Sequence, residues 1–581
     1  MHELRPDQHQ LYTGIDNIPS GRSRFLSVWN QCAEGREIDV IERDLINVHL
    51  GAHLSGDCTA RGKLDALYDP HSNYYGRAGV VDGAHGTAMA SIAAGSPYDG
   101  FVGAAPRAEL IGVHLNQPDT AWKEEDASGR PTWLDWDPVA EPFWRGWQSY
   151  ADARSIVDAL EFIYTEALGQ DPVGIVINLS VGTWSGAHDG RSDVARRIDE
   201  IIRRSDAGEG PPVAIIVGAG NAGADEGHLA LELAPGDTSE IVWRFRANAA
   251  SADKLEVWFD APGNTSAEEF DRPGLTFRLR ARLHSPAPGS REYCDFEIQP
   301  GATHPLEING VRVGVADCSF RANRFGADRA GRDNLGCVRI SLFPPLFCEQ
   351  LASDADGFID WTLSAIHEPG HGGRDGHIGS FQNHTETVQL HAWRKRNDDP
   401  LRSTLIGSTR AATLCDFACA EGAIVVGGYD ATSQGRSGQG AAGGQFIRDF
   451  PYASHGPVAW PQRPEGAAAP HLSAPAQMVW AAKSKSDGFM PTCGTSGATA
   501  LVSGAAAVLF QRAAESGLSV NEQGAKPRGL RLDREALIDE LLGKKAATKP
   551  IASMTGDDAK TWDPSHGFGC VSILDDVEVE F

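Results

Sequence analysis

The run VAIIVGAGNAG at 213–223 constrains this chain more than any other stretch. An apolar segment with no polar break demands burial on both faces, which marks a central strand of a parallel sheet covered by helices. A second strand of this kind, GIVINLSVG at 174–182, follows the helical pattern SIVDALEFIYTEAL at 155–168. Strands alternating with helices in this way predict an α/β domain over residues 1–232. From 233 to 400 the texture changes to EIVWRFRANA, DKLEVWFDA, LTFRLRARL, CVRISLF, FIDWTLSAI and TVQLHAWRK, separated by Gly, Pro, Asp and Asn. That spacing predicts an all-β sandwich or jelly roll. Within 401–581 the α/β texture returns with GAIVVGGYDA and SGATALVSGAAAVLFQRAA, so the β region is expected to be an insert in one α/β domain.

At 581 residues the chain is long enough for two or more cores. No run approaches the roughly 18 apolar residues of a membrane span. The opening MHELRPDQHQ has neither a basic nor an apolar signal region, which predicts a cytoplasmic protein. The formal net charge of −26 argues against nucleic acid and anionic membrane as partners and favours proteins, peptides or small molecules. Cys415 and Cys419, in CDFAC, read as buried free thiols; the alternative, a metal site, lacks a second ligand pair.

Three islands carry chemistry. His85 stands in AHGTAMASIAAG, where glycines and small side chains allow close packing around an imidazole; structurally, the ring could simply cap or fill space. Asn221 follows the 213–218 strand and is either a turn residue or a carboxamide donor to a developing oxyanion. Ser496 opens a helix in CGTSGATALVSG, where it is either an N-cap or a nucleophile favoured by the positive helix end. The three in this order are harder to explain separately than together.

At this point the sequence resembles the subtilisin family of serine proteases. Residues 85–95 match its HGTxxAxxxAG motif, and GTSGATA at 494–500 matches GTSxAxP except that Ala500 replaces the proline. GFVGAAPRAELIGVHL, VINLSVG, YASHGP, PHLSAPA and HGFGCVSI are similar to further family segments. RSRFLSVWNQ and the insert ending LHAWRKRND resemble the large subtilases that include the clostridial spore-germination proteases. The resemblance implies a doubly wound parallel sheet with the active site at its strands' carboxyl ends. It implies a serine endopeptidase in which Ser496 attacks, His85 accepts the proton and Asn221 stabilises the oxyanion. Ser180, Val181 and Gly182 would bind the substrate as an added strand.

The third triad member is normally an Asp ending a buried strand in D[ST]G. LYTGID puts Tyr12 in that slot, so Asp16 becomes the candidate orienting acid, with Asp82 and Asp7 as weaker choices. Three explanations stay open: a missing first strand, a recruited acid, or a degenerate protease kept to bind peptides or partners. The short amino terminus leaves no room for a folding propeptide, and restraint is expected from substrate choice or from a regulatory protein on the insert. Family calcium sites have no matching acidic loop here, so no metal or cofactor is implied.

Overall fold

Hydrophobic alternation and apolar runs sort the chain into two kinds of sheet. The computed structural model describes residues 12–13, 22–31, 40–54, 85–115, 153–225, 227–247, 253–260, 275–284, 292–299, 301, 303–321, 335–342, 347–348, 350–367, 387–395, 403–431, 448–460, 468–483, 488–518, 533–542 and 563. The apolar runs become parallel strands. Ile175–Leu179, Val213–Gly218, Ile424–Asp430 and Leu472–Pro475 lie side by side in that order, all parallel. Every residue of Val213–Gly218 is buried, as an unbroken apolar run requires.

Two helical layers cover this sheet. On one face the helices Ala153–Leu168 and Asp193–Asp206 contribute Ile156, Leu160, Ile198 and Ile201 to a core shared with Ile175, Ile177, Ile215 and Val217. On the other, the helix Thr495–Leu518 packs Ala498, Val502 and Leu509 against Ile216 and Val426. A separate group forms where Phe25–Asn30 pairs in parallel with Leu110–His114 and antiparallel with Val40–Glu42.

Between the parallel strands Val213–Gly218 and Ile424–Asp430, strands from His228 to Leu405 build two antiparallel sheets. One holds six strands in the order Thr303–Ile308, Val311–Arg321, Leu335–Leu342, Asp253–Asp260, Val388–Lys395, His228–Leu233. The other holds five, in the order Tyr293–Ile298, Leu275–Arg282, Phe358–His367, Thr238–Arg246, Ser403–Leu405. In Leu275–Arg282 the residues Leu275, Phe277, Leu279 and Ala281 turn inward while Arg278, Arg280 and Arg282 turn outward, so the period of two is read directly as burial. Trp243, Phe245, Phe259, Phe277, Phe347 and Trp361 fill the space between the sheets. The strands begin at His228 and run to Leu405, somewhat beyond the 233–400 expected from composition.

The sandwich grips the α/β portion through aromatic and charged contacts. Ala187, Trp258, Trp393 and Trp460 share one buried cluster, and Glu256 Oε2 accepts hydrogen bonds from Gly186 N and Trp258 Nε1, both at 2.9 Å. Beside it, His228 Nε2 lies 2.9 Å from His391 Nδ1, and His188 stacks on Trp393 at 4.3 Å. Burial, with smaller repulsion from His391 and His188, pushes the His228 pKa down to about 3. The folded pKa is thus below the unfolded one, so stability from this site is complete above pH 6.5 and is lost as pH falls towards 3. The slope is about 1.4 kcal/mol per pH unit. Between pH 7 and pH 5 the native chain is expected to lose about 2 kcal/mol that His228→Gln does not lose, measured by urea unfolding. Equal losses in both chains would contradict this assignment.

Cys415 and Cys419 are both buried, and burial raises the Cys415 thiol to about 12 and the Cys419 thiol well above its ordinary value. They are protonated packing groups. No helix among the described residues is long and apolar enough to cross a membrane.

Candidate active site

Two small-residue helices, one opened by the histidine and one carrying the serine in its first turn, pack against each other. In the His85–Ala94 helix, Ala88, Met89 and Ile92 pack with Ala500 and Ala481. A Cβ on Gly504 would lie 2.4 Å from the Ala93 carbonyl oxygen, so only glycine permits this approach. Ala88, Met89, Ile92 and Ala500 share one cluster, Gly504 approaches Ala93 and Gly497 faces Ile92, so the two helices pack along each other. The Ala and Gly content of both motifs is therefore the requirement of a close helix crossing.

His85 opens its helix, and its edge is exposed to solvent. The protein packed behind it still disfavours charge and lowers its pKa from the ordinary imidazole value, leaving the neutral, proton-accepting form at neutral pH. Among the described residues no carboxylate hydrogen-bonds to this ring. Ser496 is half-buried in the first turn of Thr495–Leu518, and its Oγ donates to the Ser180 carbonyl at 3.3 Å.

Asn221 follows the fully buried 213–218 strand through Gly220, whose φ of +110° suits glycine. Its Oδ1 accepts from Thr495 N at 2.9 Å and from Thr495 Oγ1 at 3.1 Å. That anchorage aims the amide nitrogen away from Thr495, on the side of Gly494, where an added Cβ would meet Nδ2 at 3.1 Å. The carboxamide is thus tied to Thr495, the chain neighbour of Ser496.

Ser180, Val181 and Gly182 leave the end of the Ile175–Leu179 strand and are partly exposed. Ser180 Oγ donates to the Ser496 carbonyl at 3.2 Å and accepts from Asn178 Nδ2 at 3.0 Å, while Ser503 Oγ donates to Asn178 Oδ1 at 3.0 Å. A Cβ on Gly182 would lie 2.7 Å from Cys415 Sγ. The following loop is pinned from two sides: His188 N donates to Asp416 Oδ1 at 3.1 Å, and Gly186 N to Glu256 of the sandwich. Burial raises the Asp416 pKa, and His188 opposes the rise.

The expected orienting acid, Asp16, was read from Tyr12 in the usual Asp slot. Tyr12 does not end a strand of the parallel sheet; Tyr12–Thr13 pairs antiparallel with Arg22–Ser23 in a separate two-stranded ribbon. Asp16, Asp82 and Asp7 lie outside the described residues, as does the HGFGCVSI segment. The strand that pairs in parallel with Leu110–His114 is Phe25–Asn30, and Asn30 is its last residue. Asn30 is 1% exposed, with Oδ1 at 3.2 Å from His114 Nδ1. The sequence reading sought a carboxylate in D[ST]G and did not consider this residue, which closes the strand FLSVWN.

Comparison with known proteins shows the family and the fold. The sequence profile of the Subtilase family (peptidase S8) matches residues 61–251 and 390–569, leaving out the middle of the sandwich. Among solved structures, the CspB protease of Clostridium perfringens is similar at 16% identity, covering 97% of this chain and 88% of that one with a TM-score of 0.59, which shows a shared fold. The serine protease MycP1, an essential component of the type VII (ESX-1) secretion system, aligns at 14% identity over 84% of this chain and 72% of its own, with a TM-score of 0.27. No curated protein matches significantly. With the profile spanning more than half of its residues, the chain belongs to the subtilase family.

Proposed function

We propose that this protein is a cytoplasmic serine endopeptidase acting on protein or peptide substrates through an acyl-enzyme. The observation that supports the reading is the packing of the His85 helix on the Ser496 helix, with the Asn221 amide anchored on Thr495 beside Ser496. A substrate strand lies along Ser180, Val181 and Gly182, and Ser496 Oγ rotates from the Ser180 carbonyl towards His85 as the peptide enters. The Oγ attacks the scissile carbonyl carbon while its proton passes to His85. The tetrahedral oxyanion is held by the Asn221 amide and the Ser496 backbone N–H. His85 then returns the proton to the leaving amine, the C–N bond breaks, and water repeats the sequence to release the acyl group. No step calls for a metal or cofactor.

In this reading residues 1–232 and 401–581 form the catalytic domain, and 233–400 is an inserted jelly-roll-like domain. The Glu256 contact to Gly186 makes the insert a support for the loop behind the substrate strand, so a regulatory protein seated on the insert can reach the cleft. The second reading, a degenerate subtilase that binds peptides or partners, is favoured by the absence of a carboxylate on His85 among the described residues and by the Ser496–Ser180 hydrogen bond.

Incubation with a quenched peptide library separates the two. A protease yields new amino termini that disappear with Ser496→Ala. A binder leaves every peptide intact while retaining it, and that result would overturn the endopeptidase reading.

A further inference from the structure

We infer that Asn30 stands directly behind the His85 imidazole, in the place of the group that orients the catalytic base, so that a neutral amide does the work of a carboxylate. The inference rests on the hydrolase reading for its consequences, though not for its geometry. Three observations place the residue.

Direction comes first. Arg24, just before the Phe25–Asn30 strand, donates through its guanidinium to the carbonyl of Ala94, the last residue of the His85 helix, and to Ala108 O at 2.9 Å. Ala90 packs against the cluster formed by Phe25, Val28, Ile41 and Ile46. The helix therefore ends where the strand begins and runs back across it. A ten-residue helix is about 15 Å long and a six-residue strand about 20 Å, so His85 arrives at the strand's carboxyl end, where Asn30 is.

The strand's alternation gives the face. Ser27 and Trp29 point to the helix Ala153–Leu168: Ser27 Oγ lies 3.4 Å from Glu166 Oε2, and the Trp29 ring is 5.0 Å from Phe162. Val28 points the other way, into the cluster beneath the His85 helix. Asn30, two residues on, shares that face.

Burial supplies the third. A side chain 1% exposed at a strand end must be held by partners, and the register sets Asn30 opposite His114, whose Nδ1 lies 3.2 Å from Asn30 Oδ1. With Oδ1 facing His114, a second ring on the opposite side of the amide would meet its N–H₂. A donor facing one imidazole nitrogen leaves the proton on the other, which is the tautomer unable to accept from Ser496. An amide also cannot offset the charge of the imidazolium formed in the reaction. Asn30 is thus a positioning residue that holds turnover low.

The titratable groups around the pair are His114 on the neighbouring strand and, across the sheet, Glu166; Arg24 lies at the far end of the strand. Asn30→Asp in the full chain tests the assignment. With His114→Gln and Ser496→Ala also present, the His85 ring followed by NMR should titrate at least one pH unit higher than in the same chain with Asn30. In the catalytically intact chain, fluorophosphonate labelling of Ser496 should accelerate by about 10² to 10⁴-fold, with its acidic limb moved to higher pH by the same shift.

An unmoved His85 titration overturns the inference, whatever happens at Ser496. A raised titration with no labelling in either chain upholds the placement of Asn30 and refutes the hydrolase reading. Should Asn30→Asp fail to fold, Asn30→Gly with added formate provides the same carboxylate. Labelling that rises at least tenfold with formate supports the inference, and labelling indifferent to formate contradicts it.

Discussion

Ser496→Ala is expected to lower peptide hydrolysis by about 10²-fold in the native chain, but by about 10⁶-fold in a chain that also carries Asn30→Asp. The asymmetry follows from how a triad works as a unit. In subtilisin, losing the serine or the histidine alone costs about as much as losing all three members, roughly 2 × 10⁶, whereas losing the aspartate alone costs roughly 3 × 10⁴. If Asn30 stands in the acid's place, as proposed, the native chain has already forfeited the larger share. Only the remaining factor depends on Ser496. The comparison is a double-mutant cycle on kcat/KM, and a Ser496→Ala effect of equal size in both backgrounds would show that Asn30 and Ser496 do not act together.

Asn221→Ala is expected to lower kcat by about 10² to 10³-fold with KM little changed, because the amide meets only the tetrahedral oxyanion and not the planar carbonyl. In the native chain this loss equals or exceeds that from Ser496→Ala, an inversion of the order found with an intact triad. The substitution also removes the acceptor for Thr495 N and Oγ1, so part of its effect is structural. About 1 kcal/mol per lost hydrogen bond lowers the melting temperature without altering the kcat-to-KM pattern. A rise in KM with kcat unchanged would mean that Asn221 binds substrate and does not serve the oxyanion.

The fold was legible where burial is uniform. Val213–Gly218 and Ile175–Leu179 are apolar throughout or nearly so, and such strands have few alternatives to the centre of a covered sheet. The His85 and Ser496 helices were legible for a related reason: close crossing demands Gly504 and the alanines, and those residues are visible in the sequence. The edge of the sandwich was harder. Tyr293–Ile298 exposes Tyr293 and buries only Ile298 fully, so hydropathy alone does not separate it from a loop.

Asn30 escaped for a deeper reason. The strand Phe25–Asn30 is short and carries Ser27 and Asn30, and its place becomes clear only through its pairing with Leu110–His114, more than eighty residues away. A search for a carboxylate leads past it to Tyr12 and Asp16. The identity of a triad position lies in the meeting of strand and helix, which local pattern does not encode.

The most direct test of the account is peptide mapping by mass spectrometry after reaction of the full chain with a fluorophosphonate. The account predicts an adduct on Ser496 that forms slowly in the native chain and is lost in His85→Ala. An adduct absent from Ser496 in both the native and Asn30→Asp chains, or one that forms at the same rate without His85, would contradict it.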